Sequence, residues 1–259
     1  MSDQSVAVFN EDSPRVRRLS IDRPWTWLAA GWADLMAAWP VSLAYGSLMV
    51  LGSWLIVLLA IRAQLLWAVL PITGGFFLVA PLLAVGLYET SRRLGAGLPV
   101  TLGGALLAWR KNAIQIGMMG ALLGLAHLFW VRVAMLLFAL FFGYALTPAI
   151  ENVIDVMLRS SLLLPFLIIG TLIGFGFAAV VFTISAIAIP MLLDRDTNLF
   201  TAVATSITAV LVNWQAMVLW AMLIVGFTAM ALVPFFLGLA VVMPLVGHAT
   251  WHAYKDMVE

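Results

Sequence analysis

The stretch Thr197–Tyr254, TNLFTAVATSITAVLVNWQAMVLWAMLIVGFTAMALVPFFLGLAVVMPLVGHATWHAY, runs for fifty-eight residues without an Asp, Glu, Lys or Arg. A helix needs about twenty apolar residues to cross the hydrocarbon core of a bilayer, so this stretch by itself predicts two crossings. Four further charge-free runs meet or approach that length: Leu35–Ile61, Ala63–Tyr88, Asn112–Val131 and Ser160–Leu193. Lipid-exposed backbone must satisfy its own hydrogen bonds, which makes these spans helical. The sequence therefore predicts an all-α, polytopic transmembrane helical bundle. Its six spans lie near residues 41–61, 65–87, 112–131, 162–190, 214–232 and 235–253, and residues 25–259 form one transmembrane domain.

Composition narrows the function. The chain is 10% charged and 64% hydrophobic, against about a quarter and about half in a soluble domain. That leaves no room for a soluble catalytic domain, and the sequence predicts no enzyme. A net charge of +1 lacks the clustered cations of a nucleic-acid footprint, so no nucleic acid is expected as a partner. The absence of cysteine excludes disulfides, iron–sulfur clusters, thiolate zinc sites and thiol catalysis. No Walker loop, Gly-x-Ser-x-Gly elbow, His-Glu-x-x-His helix or tandem Met ladder is present, and no cofactor is expected. Residues 1–24 are polar and carry Arg15, Arg17, Arg18 and Arg23 without the apolar core of a signal peptide, which predicts a disordered cytosolic arm.

Charge sets the topology. With both termini in the cytosol, the inner side holds Arg15, Arg17, Arg18, Arg23, Arg92, Arg93, Arg110, Lys111, Arg195 and Lys255, against Arg62, Arg132 and Arg159 outside. A charge-free stretch at 133–150 leaves a seventh span open; reversing everything after it gives nine cations inside and four outside. Trp25, Trp27, Trp32, Trp39, Trp67, Trp109, Trp130, Trp214 and Trp251 fall near span boundaries, as an aromatic belt does, whereas Trp54 and Trp220 sit inside.

A repeat is also legible. Three short amphipathic segments, Trp25–Trp39, Thr101–Lys111 and Phe200–Asn213, each lead into an outgoing span that is followed by an ingoing one. Thr101 and Thr201 open the later two segments, Asn112 and Asn213 close them, and Trp39-Pro40 marks the matching corner of the first. Gly120 and Gly124, and Gly170 and Gly174, have the spacing that lets helices pack closely. Pro81, Pro190, Pro234 and Pro244 mark helix ends or kinks.

Candidate chemistry lies at the inner ends of the ingoing spans. Glu89, Asp194, Asp196, His248 and His252 are placed there with Arg92, Arg93 and Arg195, and the topology predicts that they converge into one polar collar. His248 and His252, four residues apart on one helix face, have chelate spacing; with Asp194 and Asp196 they are weak candidates for a metal site, the other reading being a salt-bridged rim. His127 lies about 22 Å further along its span and cannot share a ligand with them. It is expected to hydrogen-bond within the bundle, although an intramembrane ionisable group is also a functional suspect.

The tail Pro244-Leu245-Val246-Gly247-His248-Ala249-Thr250-Trp251-His252-Ala253-Tyr254, with Pro190-Met191-Leu192-Leu193-Asp194-Arg195-Asp196 and Gly86-Leu87-Tyr88-Glu89, resembles a bacterial family of integral membrane proteins known as domain of unknown function 2189. The likeness runs from the first span to the C-terminus. It implies a bacterial inner-membrane location and no assigned catalytic residues. Two functions follow as expectations: a non-catalytic accessory, scaffolding or assembly subunit of a respiratory or photosynthetic complex, with the lipid bilayer and other inner-membrane subunits as partners; or a transporter or channel for a small or lipid-like solute. Metal binding at the collar is a minor third.

Overall fold

The computed structural model describes residues 5–7, 14–63, 69–143 and 157–259. Two short strands, β1 (Ser5–Ala7) and β2 (Arg15–Arg17), pair antiparallel, and every other regular element described is helical. The first repeat comprises α1 (Arg23–Ala37), α2 (Trp39–Arg62), α3 (Val69–Leu83) and α4 (Val85–Gly95). The second comprises α5 (Leu102–Leu106), a 3-10 turn (Ala108–Asn112), α6 (Ala113–Phe142), α7 (Leu163–Ser185) and α8 (Ala188–Asp194). The third comprises α9 (Leu199–Val212), α10 (Trp214–Leu232) and α11 (Leu239–Met257).

Local chemistry sets these boundaries. Pro24 and Pro40 stand in the first turns of α1 and α2, where a missing N–H costs nothing. Thr101 caps α5 by accepting from the Gly104 N–H, and Asn198 caps α9 by accepting from the Thr201 N–H. Asn198, not Thr201, thus opens the third lead-in. The ingoing spans of the first two repeats are broken, at Ala84 and at Ala186–Ile187, so that α3–α4 and α7–α8 are each one crossing in two pieces.

Among the described residues, five helical stretches are long and apolar enough to cross a membrane: Trp39–Arg62, Ile72–Gly95, Ala108–Phe142, Leu163–Asp194 and Trp214–Leu232. The sixth expected span corresponds to α11, which is less apolar. It is nevertheless well enclosed, because α1, α2, α4 and α10 all pack on it. A helix shielded by protein does not have to match the lipid.

The repeats interlock in sequence. Each lead-in helix packs on the ingoing span of the preceding repeat: α5 on α4, α9 on α7 and α8, and α1 on α11. Outgoing spans follow the same rule in two seams, α6 on α3 and α2 on α11. The two closing asparagines repeat it at atomic level. Asn112 Nδ2 donates to the Leu192 and Thr197 carbonyls ahead of α9, both at 3.2 Å. Asn213 Nδ2 donates to the Arg17 carbonyl at 2.9 Å and its Oδ1 accepts from the Leu19 N–H at 2.7 Å, ahead of α1. Each asparagine therefore ties its own corner to the start of the next repeat.

Several expectations need correction. Residues 14–24 of the arm expected to be disordered are held on the body: Val16 is fully buried and bridges Val258, and the Glu259 N–H donates to the Arg15 carbonyl. Residues 15–17 and 258–259 thus meet on one face, here termed the terminal face. The third span is longer than predicted. At thirty residues, α6 is about 45 Å long and carries Arg132 within one unbroken helix that continues to Phe142. Residues 133–142 therefore extend the third span; 144–150 lie outside the described residues. Trp27 is not a belt residue but a core one, 2% exposed, and packs edge-on against Trp220. Trp25, Trp32, Trp39, Trp109 and Trp214 do remain exposed, and Trp67 lies outside the described residues.

The glycine spacing also misleads in part. Gly174 makes room for the Trp130 ring and Gly120 faces Leu82, but Gly124 and Gly170 face open space. Close backbone approaches occur instead at Gly31 against Ala249, Gly46 against Ala240 and Gly238 against Ala231. The tight outer turn after Pro234 holds Phe235 and Phe236 at positive φ, 51° and 68°, a conformation costly for aromatic residues.

Candidate functional site

The ends of α4, α8 and α11 that carry Glu89, Asp194 and the two histidines do meet, since these helices are mutually in contact. Their side chains form the heart of the core: Leu87, Ile189, Leu192, Ala249 and Tyr254 are all fully buried. Within this apolar junction the charged groups sort into separate pairings, not one ring.

Glu89 on α4 has a side chain only 1% exposed. Its carboxylate accepts from Arg92 Nε at 2.7 Å, Arg93 Nε at 2.7 Å and Lys111 Nζ at 2.8 Å. The two arginines are its i+3 and i+4 neighbours, whereas Lys111 comes from the turn preceding α6 and joins the first repeat to the second. A buried carboxylate is tolerable only with such compensation. Asp194 at the end of α8 accepts from Tyr254 Oη at 2.9 Å and Lys255 Nζ at 3.1 Å, joining the second repeat to the third. Arg195 donates to Tyr254 Oη and to the carbonyls of Val258 and Glu259. Asp196 is exposed in the bend after α8.

The histidines belong to a different, buried network. His248 Nε2 lies 2.9 Å from Ser42 Oγ and Nδ1 lies 2.7 Å from Ser91 Oγ. The Asp34 carboxylate lies 2.8 Å from His252 Nε2. Ser42, His248 and Ser91 therefore link α2, α11 and α4, and the Asp34–His252 pair links α1 to α11. Next to it, Asp256 accepts from Arg23 Nε and Trp27 Nε1, both at 2.8 Å. The Asp256 carboxylate raises the Arg23 guanidinium above its ordinary value.

This arrangement closes the chemistry open to these residues. Both ring nitrogens of His248 are already bonded, and His252 is directed at Asp34, so the pair is not set as a chelate. Among the described residues no three of His, Cys, Asp or Glu gather as a metal site. The Ser91–His248 contact has the spacing of a nucleophile and base. Ser42, Ser91 and His248 are nevertheless at most 2% exposed, so no substrate reaches them. His127 stands apart on α6, its Nδ1 3.1 Å from the Gly75 carbonyl on α3. Gln115 Oε1 accepts from the Leu199 N–H at the start of α9, another tie between repeats.

The residues that complete these pairings, Ser42, Ser91, Lys111, Tyr254 and Asp256, carry no sequence signal of their own. Asp34 does, because it interrupts the apolar face of α1.

Asp34 gives the network a pH dependence. Burial pushes its carboxyl up, but the hydrogen bond from His252, the influence of the Ser91 hydroxyl and the nearby imidazoles outweigh this and hold it below its ordinary value. A depressed folded value stabilises above the unfolded pKa of about 3.9 and loses that contribution as pH falls through the folded value. Thermal melts in detergent should therefore fall between about pH 5 and pH 3 more steeply for the wild type than for Asp34→Asn. Parallel curves would refute the role assigned to Asp34.

No match exists among curated proteins or among solved structures. The matched family segment is shorter than the likeness read from the sequence, and the tail Pro244–Tyr254 lies outside it. Residues 69–194, from α3 to the end of α8, match the model of a family of predicted integral membrane proteins designated DUF2189, and over that segment the chain is similar to that family.

Proposed function

We propose that this integral membrane protein is a non-catalytic accessory or assembly subunit of a bacterial inner-membrane complex, with its terminal face in the cytosol. One observation carries the reading: the ionisable groups at the repeat junction are spent on each other. Glu89 is matched by three cations, Asp194 by Tyr254 and Lys255, Asp256 by Arg23, and His248 by two serines. Such a junction fixes three repeats rigidly and leaves little polar capacity for a moving solute. The exposed aromatics of the lead-in segments, Trp32, Trp39, Trp109 and Phe200, instead give the terminal face apolar surface at headgroup depth. The cation excess on that face supports its cytosolic placement.

The test is purification of the tagged full-length protein from native membranes in a mild detergent, with quantitative mass spectrometry of everything recovered. Stoichiometric recovery of one membrane complex, lost after a charge is placed on the exposed face by Trp32→Glu, is the expected result. Recovery of the protein alone, together with solute flux in proteoliposomes, would replace this reading with the transport one.

A further inference from the structure

At the terminal face a groove of about 390 Å³ opens between α2, α4, α5 and α6. This is within the size range of small-ligand sites. Tyr45, Leu82, Ile116 and Trp109 line it, with Gly86 and Gly117 in its walls. The lining is largely apolar, and the Tyr45 hydroxyl is already committed to the Leu83 carbonyl. Gly117 is exposed, and a Cβ there would meet no protein atom within 4 Å, so the groove is open towards the lipid-facing surface. Acyl chains are the solvent on that side, and one of them will fill an open apolar groove.

The rim decides which lipid. Trp109 is 47% exposed, and the Arg110 guanidinium stands 5.7 Å from its ring centroid. Beside it Lys111, Arg92 and Arg93 share the single carboxylate of Glu89. Four cations against Glu89 and, at longer range from Arg92, Asp194 leave a surplus of positive charge at headgroup depth, where basic pockets between spans recognise anionic lipids. The pairing of an acyl-sized groove with a cationic rim is a specific one.

We propose that this groove is a binding site for one anionic glycerophospholipid of the terminal-face leaflet, an acyl chain lying along Gly117 and the phosphate meeting Arg110 and Lys111. The site is independent of the accessory role proposed above.

The full-length protein, released from detergent into native mass spectrometry, should be titrated with phosphatidylglycerol or phosphatidylcholine of identical chains. Two rim cations predict a preference of roughly thirtyfold for phosphatidylglycerol at the first retained lipid. Gly117→Leu should abolish that retained lipid by filling the groove. Arg110→Gln should keep a lipid but cut the preference to roughly fivefold. Melting temperatures measured alongside give a second readout: phosphatidylglycerol should raise that of the wild type and leave that of Gly117→Leu unmoved. Equal retention of both lipids by the wild type, or an undiminished phosphatidylglycerol adduct on a monodisperse Gly117→Leu protein, would overturn the proposal.

Discussion

Glu89→Ala should destabilise the protein by about 3 kcal/mol, seen as a fall of roughly 6–12 °C in melting temperature in detergent or nanodiscs. The carboxylate is almost wholly enclosed and holds Arg92, Arg93 and Lys111 at once. Removing one partner of a buried ion pair typically costs 3–5 kcal/mol, because the other charge is left buried and unmatched. Here the cations left behind are 25%, 29% and 36% exposed, so water recovers part of the loss and the low end of that range applies. Glu259→Ala is the control: its pair with Arg17 is 33% and 40% exposed and should be worth less than about 1 kcal/mol. Equal effects from the two substitutions would mean that the Glu89 cluster does not clamp the first two repeats.

Gly46→Leu is expected to be at least as severe, about 3 kcal/mol or more. A Cβ at this position would press on the backbone of Ala240, within 2.8 Å of its carbonyl carbon and closer still to its oxygen. Backbone cannot step aside as a flexible side chain can, so α2 and α11 would have to part along their seam. Gly52, on the same helix, has no protein atom within 4 Å of its Cβ position and should accept Leu with little change. Parallel melts of the two variants decide the matter, and indistinguishable curves would reject the α2–α11 packing.

These two positions show how far the sequence could be read. Glu89 stood out because a charge next to an apolar run marks the end of a span, and Arg92 and Arg93 follow at helical spacing. Lys111 did not, since nothing in a linear sequence says that the turn before the third span lies beside the end of the second. Gly46 was passed over for the opposite reason. The spaced pairs at Gly120–Gly124 and Gly170–Gly174 satisfy a known packing pattern, yet Gly124 and Gly170 face no protein, while single glycines at 31, 46 and 238 carry close backbone approaches. In a bilayer every face of an apolar helix is acceptable to lipid, so sequence pattern cannot say which face meets protein. Trp27 was misplaced for the same reason: an indole at a span boundary suits a headgroup and a helix partner equally.

The sequence alone determined that lipid is the solvent of this chain, that its spans are helices, and that three lead-in segments repeat. Hydrocarbon length and missing charge are additive properties of neighbouring residues and need no fold to be counted. Tertiary structure decided which repeat holds which. It set Asn112 and Asn213 on the segments ahead of the following lead-in, divided the expected single collar into separate ion pairs, and enclosed His248 between Ser42 and Ser91. Those outcomes depend on distances between residues as many as two hundred positions apart, and hydrogen bonds and ion pairs, unlike hydrophobicity, exist only once both partners are in place.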